Sequence, residues 1–542
     1  MRLFRESDNR ALLAYRVVAA AVGMTLSLAI PSHLLARSVM AVESGQSARM
    51  SPEQLPSDHP IWTDLEALWN RGGLAGLPVF TRPLVRADIV QAYLLTIDEH
   101  PDWSSLPEAI RVEREFAREL ARIRSTGPAP TKPMLTFTDE DNTELRIQST
   151  AAVLGHLTED EGHIDEGTYG GVLFRADLSR HAHAAVDVVI ERLLDPTNLG
   201  DSVVKGSDWY FYPNFATLTV RTSFVDFWLG LDRNRWGPGS SGTLLLSDAA
   251  PSAPGLYYGR TFGSRARFTA MTASLHAPEH RWVSAHRFEF SLHPRLRIGI
   301  HESAAYFSDG IDILYATNLI PYTIVQRILD RTSTTGESIA ENRNNLMAGA
   351  DLEWRFADGW RLDGEFLIDE LATESASQPD RIGLQGGVSW SGGFLGRSAD
   401  ARIEGTKVYR DTYAVFYGAN FLQDDIPLGY DRGPDVEHAL AYLDVNVSTD
   451  LRFGLGMEAQ RHGEGRPGDF WDPEDPESQN SGADLEGVIE RVLFPHARAR
   501  VTWRDIADVA VRAGVRDVNN ATNVPARDET GFFADLTSRW EW

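Results

Sequence analysis

The chain of 542 residues contains no cysteine. That excludes disulfides, thiolate zinc sites and cysteine nucleophiles, and it leaves the redox compartment open. Long apolar runs are missing too. No stretch after residue 41 approaches the roughly eighteen uninterrupted apolar residues of a membrane-spanning helix. Basic residues are in deficit, with Lys and Arg at 52 against Asp and Glu at 77, a formal charge of -25. Such a surface repels phosphate backbones, which removes nucleic acid as a partner. Neither G-x-S-x-G nor H-E-x-x-H occurs in the sequence, so no catalytic residue, cofactor or metal is called for.

What is present begins with an export signal. Arg2, Arg5, Arg10 and Arg16 precede an apolar run from Val17 to Ile30, which Pro31 ends. The run has the length of a signal peptide and is too short to span a bilayer. Cleavage after Ala41, or alternatively after Ala36, fits the small residues that follow. Loss of residues 1–41 removes five arginines, Glu6 and Asp8, a net +3, and takes the charge from -25 to -28. Residues 42–58 read as a small, polar linker.

From residue 59 to 133 the period is helical. Ile61, Leu65, Leu68 and Trp69 make one stripe after Pro60; Ile89, Val90, Tyr93, Leu94 and Ile97 make a second; Ala109, Val112, Phe116, Leu120 and Ile123 make a third. Three short helices bury little alone, so they pack on something larger. The proline-rich stretch 126–133 ends this part.

From residue 134 to 542 the period is two. Leu451, Phe453, Leu455 and Met457 alternate with Arg452, Gly454, Gly456 and Glu458, and Phe532, Ala534, Leu536 and Trp540 alternate with Asp535, Thr537, Arg539 and Glu541. One face is apolar and the other carries glycine and charges of both signs, the pattern of a strand between hydrocarbon and a watery lumen. Trp354, Phe356, Trp390 and Trp503 fall where interfacial girdles belong. About 410 residues at roughly 22–24 per strand and connection give about 18 strands. The expected fold is therefore mainly β: a large antiparallel transmembrane barrel in the outer membrane, surrounded by its lipids. The barrel-assembly machinery is the expected partner of the aromatic C-terminal strand. Stretches breaking the alternation are candidate external loops: 158–167, 195–213, 233–254, 331–343, 424–435 and 463–482.

Within these loops, Gly237-Pro-Gly-Ser-Ser-Gly242 fits G-x-G-x-x-G, but a run ending in prolines follows it instead of a helix, so it reads as a glycine-rich turn. Asp469, Phe470, Trp471 and Asp472 put rings beside carboxylates, as a sugar platform does. Trp209, Tyr210 and Tyr212 form either a second platform or part of a girdle. His181 and His183 read as a lumen pair. Asp424 and Asp425 are an acid pair of unknown separation.

Several stretches together resemble the Wzi capsule-assembly family of outer-membrane proteins. They are Pro60–Trp69, Arg82–Asp88, Leu229–Gly239 running into Leu244–Pro251, Arg297–Glu302, Asn345–Asp351, Ile368–Leu371 and Pro427–Asp435. The resemblance implies that the helical bundle closes the periplasmic end of the barrel. It also implies a lectin-like, non-enzymatic role in holding capsular or extracellular polysaccharide. Arg233, Arg235 and Trp236 lie in the most specific of these stretches, and the two arginines, or divalent ions, would offset the acidic loops toward an acidic polymer. A substrate-specific porin on the same barrel is the alternative.

Overall fold

The computed structural model describes residues 50–124, 135–138, 144–158, 168–192, 209–275, 280–332, 344–370, 380–415, 419–469, 484–503 and 506–541. The expected signal peptide, residues 1–41, lies outside them. Eighteen antiparallel strands close into a barrel. In chain order they are β1 Glu144–Thr158, β2 Thr168–Ser179, β3 Ala182–Arg192, β4 Trp209–Arg221, β5 Asp226–Asp232, β6 Ala253–Phe262, β7 Ala266–Ser274, β8 Arg281–His293 and β9 Leu296–Phe307. They continue as β10 Asn344–Ala357, β11 Trp360–Glu370, β12 Arg381–Phe394, β13 Arg397–Val408, β14 Val436–Asn446, β15 Leu451–His462, β16 Glu490–Trp503, β17 Ala507–Asn519 and β18 Glu529–Glu541. The seam is β18 on β1, in register from Phe533 opposite Thr158 to Glu541 opposite Thr150.

The two parities of each strand sort as an inside-out protein requires. Leu455 is 64% exposed and Ile403 is 68% exposed on the outer face, whereas Arg287 and Arg361 are each 1% exposed on the inner one. Outward aromatics gather at one end of the wall. Trp354, Phe356, Trp360 and Trp390 follow one another with ring centroids 5.9, 6.1 and 6.2 Å apart, and Trp503 meets Trp540 at 6.3 Å. At this end the described hairpins turn within a few residues, as in 294–295, 358–359 and 395–396, which marks it as periplasmic.

The N-terminal unit sits in that end. Its helices are α1 Trp62–Arg71, α2 Arg86–Glu99, α3 Pro107–Glu115 and α4 Ala117–Arg124. The third apolar stripe is thus two helices, broken at Phe116, whose buried ring lies under the Arg86 guanidinium at 4.5 Å. Leu65, Leu68, Trp69, Ile89, Val90, Ala109 and Val112 form the core between them. The end of the expected linker belongs to this unit. Gln54–Leu55 pairs with Leu84–Val85, and the buried Glu53 takes an ion pair from Arg146 of β1.

Docking uses arginines of the wall. Trp69 is held between Arg297 at 5.4 Å and Arg355 at 4.8 Å, and Phe80 lies 4.5 Å from Arg361. Arg111 grips Asp64 with bonds of 2.9 and 2.6 Å and donates to Thr449 O in the β14–β15 turn. Burial raises the Asp64 carboxyl, but Arg111 and Arg452 outweigh it and hold the group below its ordinary range. Among the described residues no helix is long and apolar enough to cross a membrane; the wall crosses with strands.

Candidate functional site

The connection between β5 and β6, residues 233–252, folds into the lumen instead of outward. Two wall carboxylates hold it. The Ser240 and Ser241 N–H groups donate to Glu404 at 2.7 and 2.9 Å, and the Leu244 N–H donates to Glu365 at 3.0 Å. Glycine is needed where this turn meets the wall. A Cβ at Gly239 would stand 1.9 Å from Gln385 Oε1, and Gly237, at φ +135°, would put one 2.6 Å from Glu365. The G-x-G-x-x-G stretch is therefore a close-approach turn, as its sequence context indicated.

Arg235 and Trp236 turn toward the N-terminal unit. They pair as a short strand with Thr81 and Arg82 of the N-terminal unit, and the Gly237 N–H donates to Phe80 O at 2.9 Å. Trp236 is 0% exposed. Arg235 donates to Asp248 at 2.7 Å, and Arg233 lies 3.7 Å from Asp58. Burial alone would raise Asp248, yet Arg235 and Arg82 keep it below the usual carboxylate value. Thr81 in turn donates to Glu289 at 2.6 Å and accepts from Arg287 at 2.9 Å. A hydrogen-bonded column thus runs from the periplasmic bundle to the inserted loop in mid-lumen.

Above it, residues 409–415 and 419–435 cover the insert. Tyr413 donates its hydroxyl to Leu244 O at 2.7 Å and accepts from the Tyr430 N–H at 3.1 Å, and the Ser247 N–H donates to Leu428 O at 2.7 Å. Trp228, Tyr257, Leu245, Phe421 and Tyr430 share the apolar cluster there. At the outer rim the buried Asp435 accepts from Gly465 N–H at 3.0 Å and Glu486 N–H at 3.2 Å, fastening the β13–β14 connection to both ends of the β15–β16 connection. Asp411 sits beside Arg410, and its carboxyl is pushed up to about 6 because burial outweighs that guanidinium. Arg466 reaches across to Asn523 at 2.5 Å. These charges, amides and carboxylates form a polar external surface.

The other residues expected at a sugar site divide. Asp469 is exposed on this rim and accepts from the Arg466 N–H at 2.8 Å; Phe470, Trp471 and Asp472 lie outside the described residues. Trp209 opens β4, inside the stretch expected as a loop, and shares the outer parity with the 55% exposed Phe211, so both belong to the lipid-facing side. Tyr210 and Tyr212 take the inner parity, where the Tyr212 hydroxyl meets Glu191. His183 is buried inside the wall beside Asp177 at 2.9 Å, whereas His181 lies in the exposed β2–β3 turn. Asp424 and Asp425 both take positive φ in an exposed turn.

Sequence reasoning missed the lumen column, because a short β-bridge between segments about 150 positions apart leaves no periodic trace. It also missed the triad Glu53, Asp177 and His183, whose ligand atoms lie within 4.8 Å of one another. Arg146 and Arg118 already reach its carboxylates, so cations of the chain fill the place of a metal. Beside the plug a cavity of about 680 Å³ remains, with Glu66 and Asn70 on one side and Arg498, Arg500 and Arg512 on the other.

A closed barrel with an apolar exterior, aromatic girdle and filled lumen defines an outer-membrane β-barrel protein. Residues 214–530 match the model of the capsule assembly protein Wzi family, which is more than half of the chain. The protein belongs to that family. In fold it is similar to Wzi of Escherichia coli, described as an outer membrane protein involved in group 1 capsule assembly and a carbohydrate binding β-barrel. The TM-score is 0.60 at 14% identity, over 90% of this chain and 98% of that one. OprD of Pseudomonas aeruginosa aligns at a TM-score of 0.41 and 11% identity, over 73% of this chain and 93% of that one. No curated protein sequence matches.

Proposed function

We propose that this protein is a non-enzymatic, lectin-like anchor that attaches capsular or extracellular polysaccharide to the cell surface. The observation that carries the reading is the lumen column, in which Trp236, Thr81 and their neighbours cross the barrel where a wide pore would need water. A barrel so filled serves as a foundation for its external face. Membership of the Wzi family, and the carbohydrate binding stated for the Escherichia coli relative, support it. The glycan meets the rim around Asp435 and Asp469, with Phe470 and Trp471 stacking on sugar faces and Asp469 and Asp472 accepting hydroxyl protons. In this reading Arg233, Arg235 and Trp236 stiffen the support, and Trp209 sits in the membrane girdle. The leader directs export and is then removed, and assembly begins at the aromatic C-terminal strand.

The test is deletion of the gene, followed by separate measurement of cell-bound and shed polysaccharide. Shedding with undiminished synthesis is the expected result, with retention restored by the wild-type gene and not by the F470A/W471A double variant. Unchanged retention in the deletion strain would sink the proposal. A second reading, passage of small solutes, draws on the cavity of about 680 Å³ beside the plug. It requires steady channel openings in planar bilayers, where the anchor stays silent.

A further inference from the structure

Strand parity sends four polar groups to the lipid side of the wall. Ser284, His286, Phe288 and Phe290 share one face of β8, and the register sets Thr272 beside Ser284 and Glu302 beside His286. Phe288 is 39% exposed and Leu292, further along that face, is 64% exposed, as residues against lipid are. Glu302 stands six residues above the start of β9 at Leu296. At about 2.5 Å of height per tilted residue that is about 15 Å, inside the apolar band of about 25 Å. A bare carboxylate there costs several kcal/mol.

It is not bare. The connection between β9 and β10 returns along the outside of the barrel as α5 Ile313–Ala316 and α6 Tyr322–Thr332. The Tyr322 N–H donates to Glu302 at 3.0 Å, and its ring meets His286 at 4.7 Å. Tyr315 stacks on the outward Tyr306 at 4.3 Å, and Asn318 donates to Thr272 at 3.2 Å. Several groups of the irregular backbone are satisfied within the protein. Asp312 caps Leu314 and Tyr315, and Thr317 O accepts from the Tyr258 hydroxyl at 2.5 Å. The far side of this element carries large apolar side chains: Ile311 is 58%, Ile313 76% and Leu319 71% exposed, joined by Ile324 and Ile328, with Arg327 and Thr323 exposed among them.

We propose that residues 309–332 form a flap embedded in the outer leaflet, which replaces the wall over β7–β10 as the surface that contacts acyl chains. Depth and continuity argue for lipid as its occupant. The outward row Phe227, Tyr258, Phe268 and Phe288, with ring centroids 6.2, 5.9 and 4.7 Å apart, leads along the wall to the flap. The flap makes a polar patch tolerable on a lipid-facing wall, and there it presents helix in place of sheet to the bilayer.

Because the chain has no cysteine, single spin labels can be placed in the intact protein. Labels at I313C, L319C and I324C in liposomes should collide preferentially with oxygen over an aqueous nickel chelate, as at F288C. The periplasmic-turn control D358C should show the reverse. Nickel-dominated collisions at all three flap positions would overturn the proposal, as would ready disulfide dimers when the unlabelled cysteine variants are oxidised with copper phenanthroline, which assign the patch to a second copy. Heat-modifiable migration checks that each variant is folded. For the label-free chain, I324W quenched by brominated acyl chains gives the same answer independently.

Discussion

Trp69 is the side chain on which retention of the periplasmic bundle turns, and its removal has a calculable outcome. The indole is 2% exposed, lies edge-on to Phe80 at 5.3 Å, and is flanked by the guanidiniums of Arg297 and Arg355 at 5.4 and 4.8 Å. Truncating a buried tryptophan to alanine costs about 3–5 kcal/mol. Each buried cation–π interaction is worth about 0.5–2 kcal/mol beyond area, part of which overlaps that figure. A total of about 4–5 kcal/mol is therefore reasonable, and at 1.4 kcal/mol per tenfold it raises the undocked fraction by roughly a thousandfold. Trp69→Phe keeps a ring between the arginines and should lose less than half as much. Limited proteolysis in detergent reads the effect directly: W69A should be cut within residues 50–124 far sooner than wild type, while the wall keeps its heat-modifiable migration. In planar bilayers the same variant should flicker open. A W69A protein as resistant and as silent as its parent would show that the wall arginines do not hold the bundle through this ring.

Further tests address the insert and the rim. Gly239→Ala drives a Cβ into Gln385 and Gly242 O, so it should displace the inserted loop and lower the unfolding midpoint, whereas G393A, with open space around it, should not. Arg235→Ala takes from the half-buried Asp248 the guanidinium that donates to it at 2.7 Å; removal of one member of such a pair costs about 3 kcal/mol and should appear as faster cleavage within 233–252. The third test is pH dependence. Asp411 has a raised carboxyl, at about 6 in the folded rim against an ordinary 3.8, so the folded state binds the extra proton. Its contribution is fully present below about 3.8 and is lost as pH rises through about 6. Burial also raises Asp435 and Glu486, in the same direction. Hydrogen exchange of 409–412 and 484–488, corrected for intrinsic rates, should be slower at about pH 5 than at about pH 7.5, and Asp411→Asn should flatten the difference.

The wall was legible because its cause is local. Alternation of Leu455 with Gly454 and Gly456 records which side meets hydrocarbon, whatever the distant chain does. The girdle tryptophans and the strand number follow from the same rule. Contacts that the alternation does not encode were harder. Residues 233–254 break the pattern as an outward loop does, but here the break marks a segment turned inward onto Glu365 and Glu404. Arg235 and Trp236 looked like ligand-binding residues because arginine and tryptophan recognise sugars, and the same chemistry makes them suitable for a buried bridge. At Glu302 the apolar parity of β9 acquires an acid, a departure that made sense only once α6 was seen above it. The glycan rim was the least legible, since its residues sit on connections with neither period.

The filled lumen also bears on how the molecule is made. Thr81 engages Glu289 on β8, Trp69 needs β9 and β10, and Arg111 reaches the β14–β15 turn, while the seam joins the first strand to the last. The earliest-synthesised unit thus finds its seats on strands that emerge much later. Glu53 can meet Arg146 on β1 early, but docking is complete only once β15 has arrived. Furnishing the interior and closing the cylinder become one cooperative event, and a chain truncated before β15 would strand its own stopper in the periplasm.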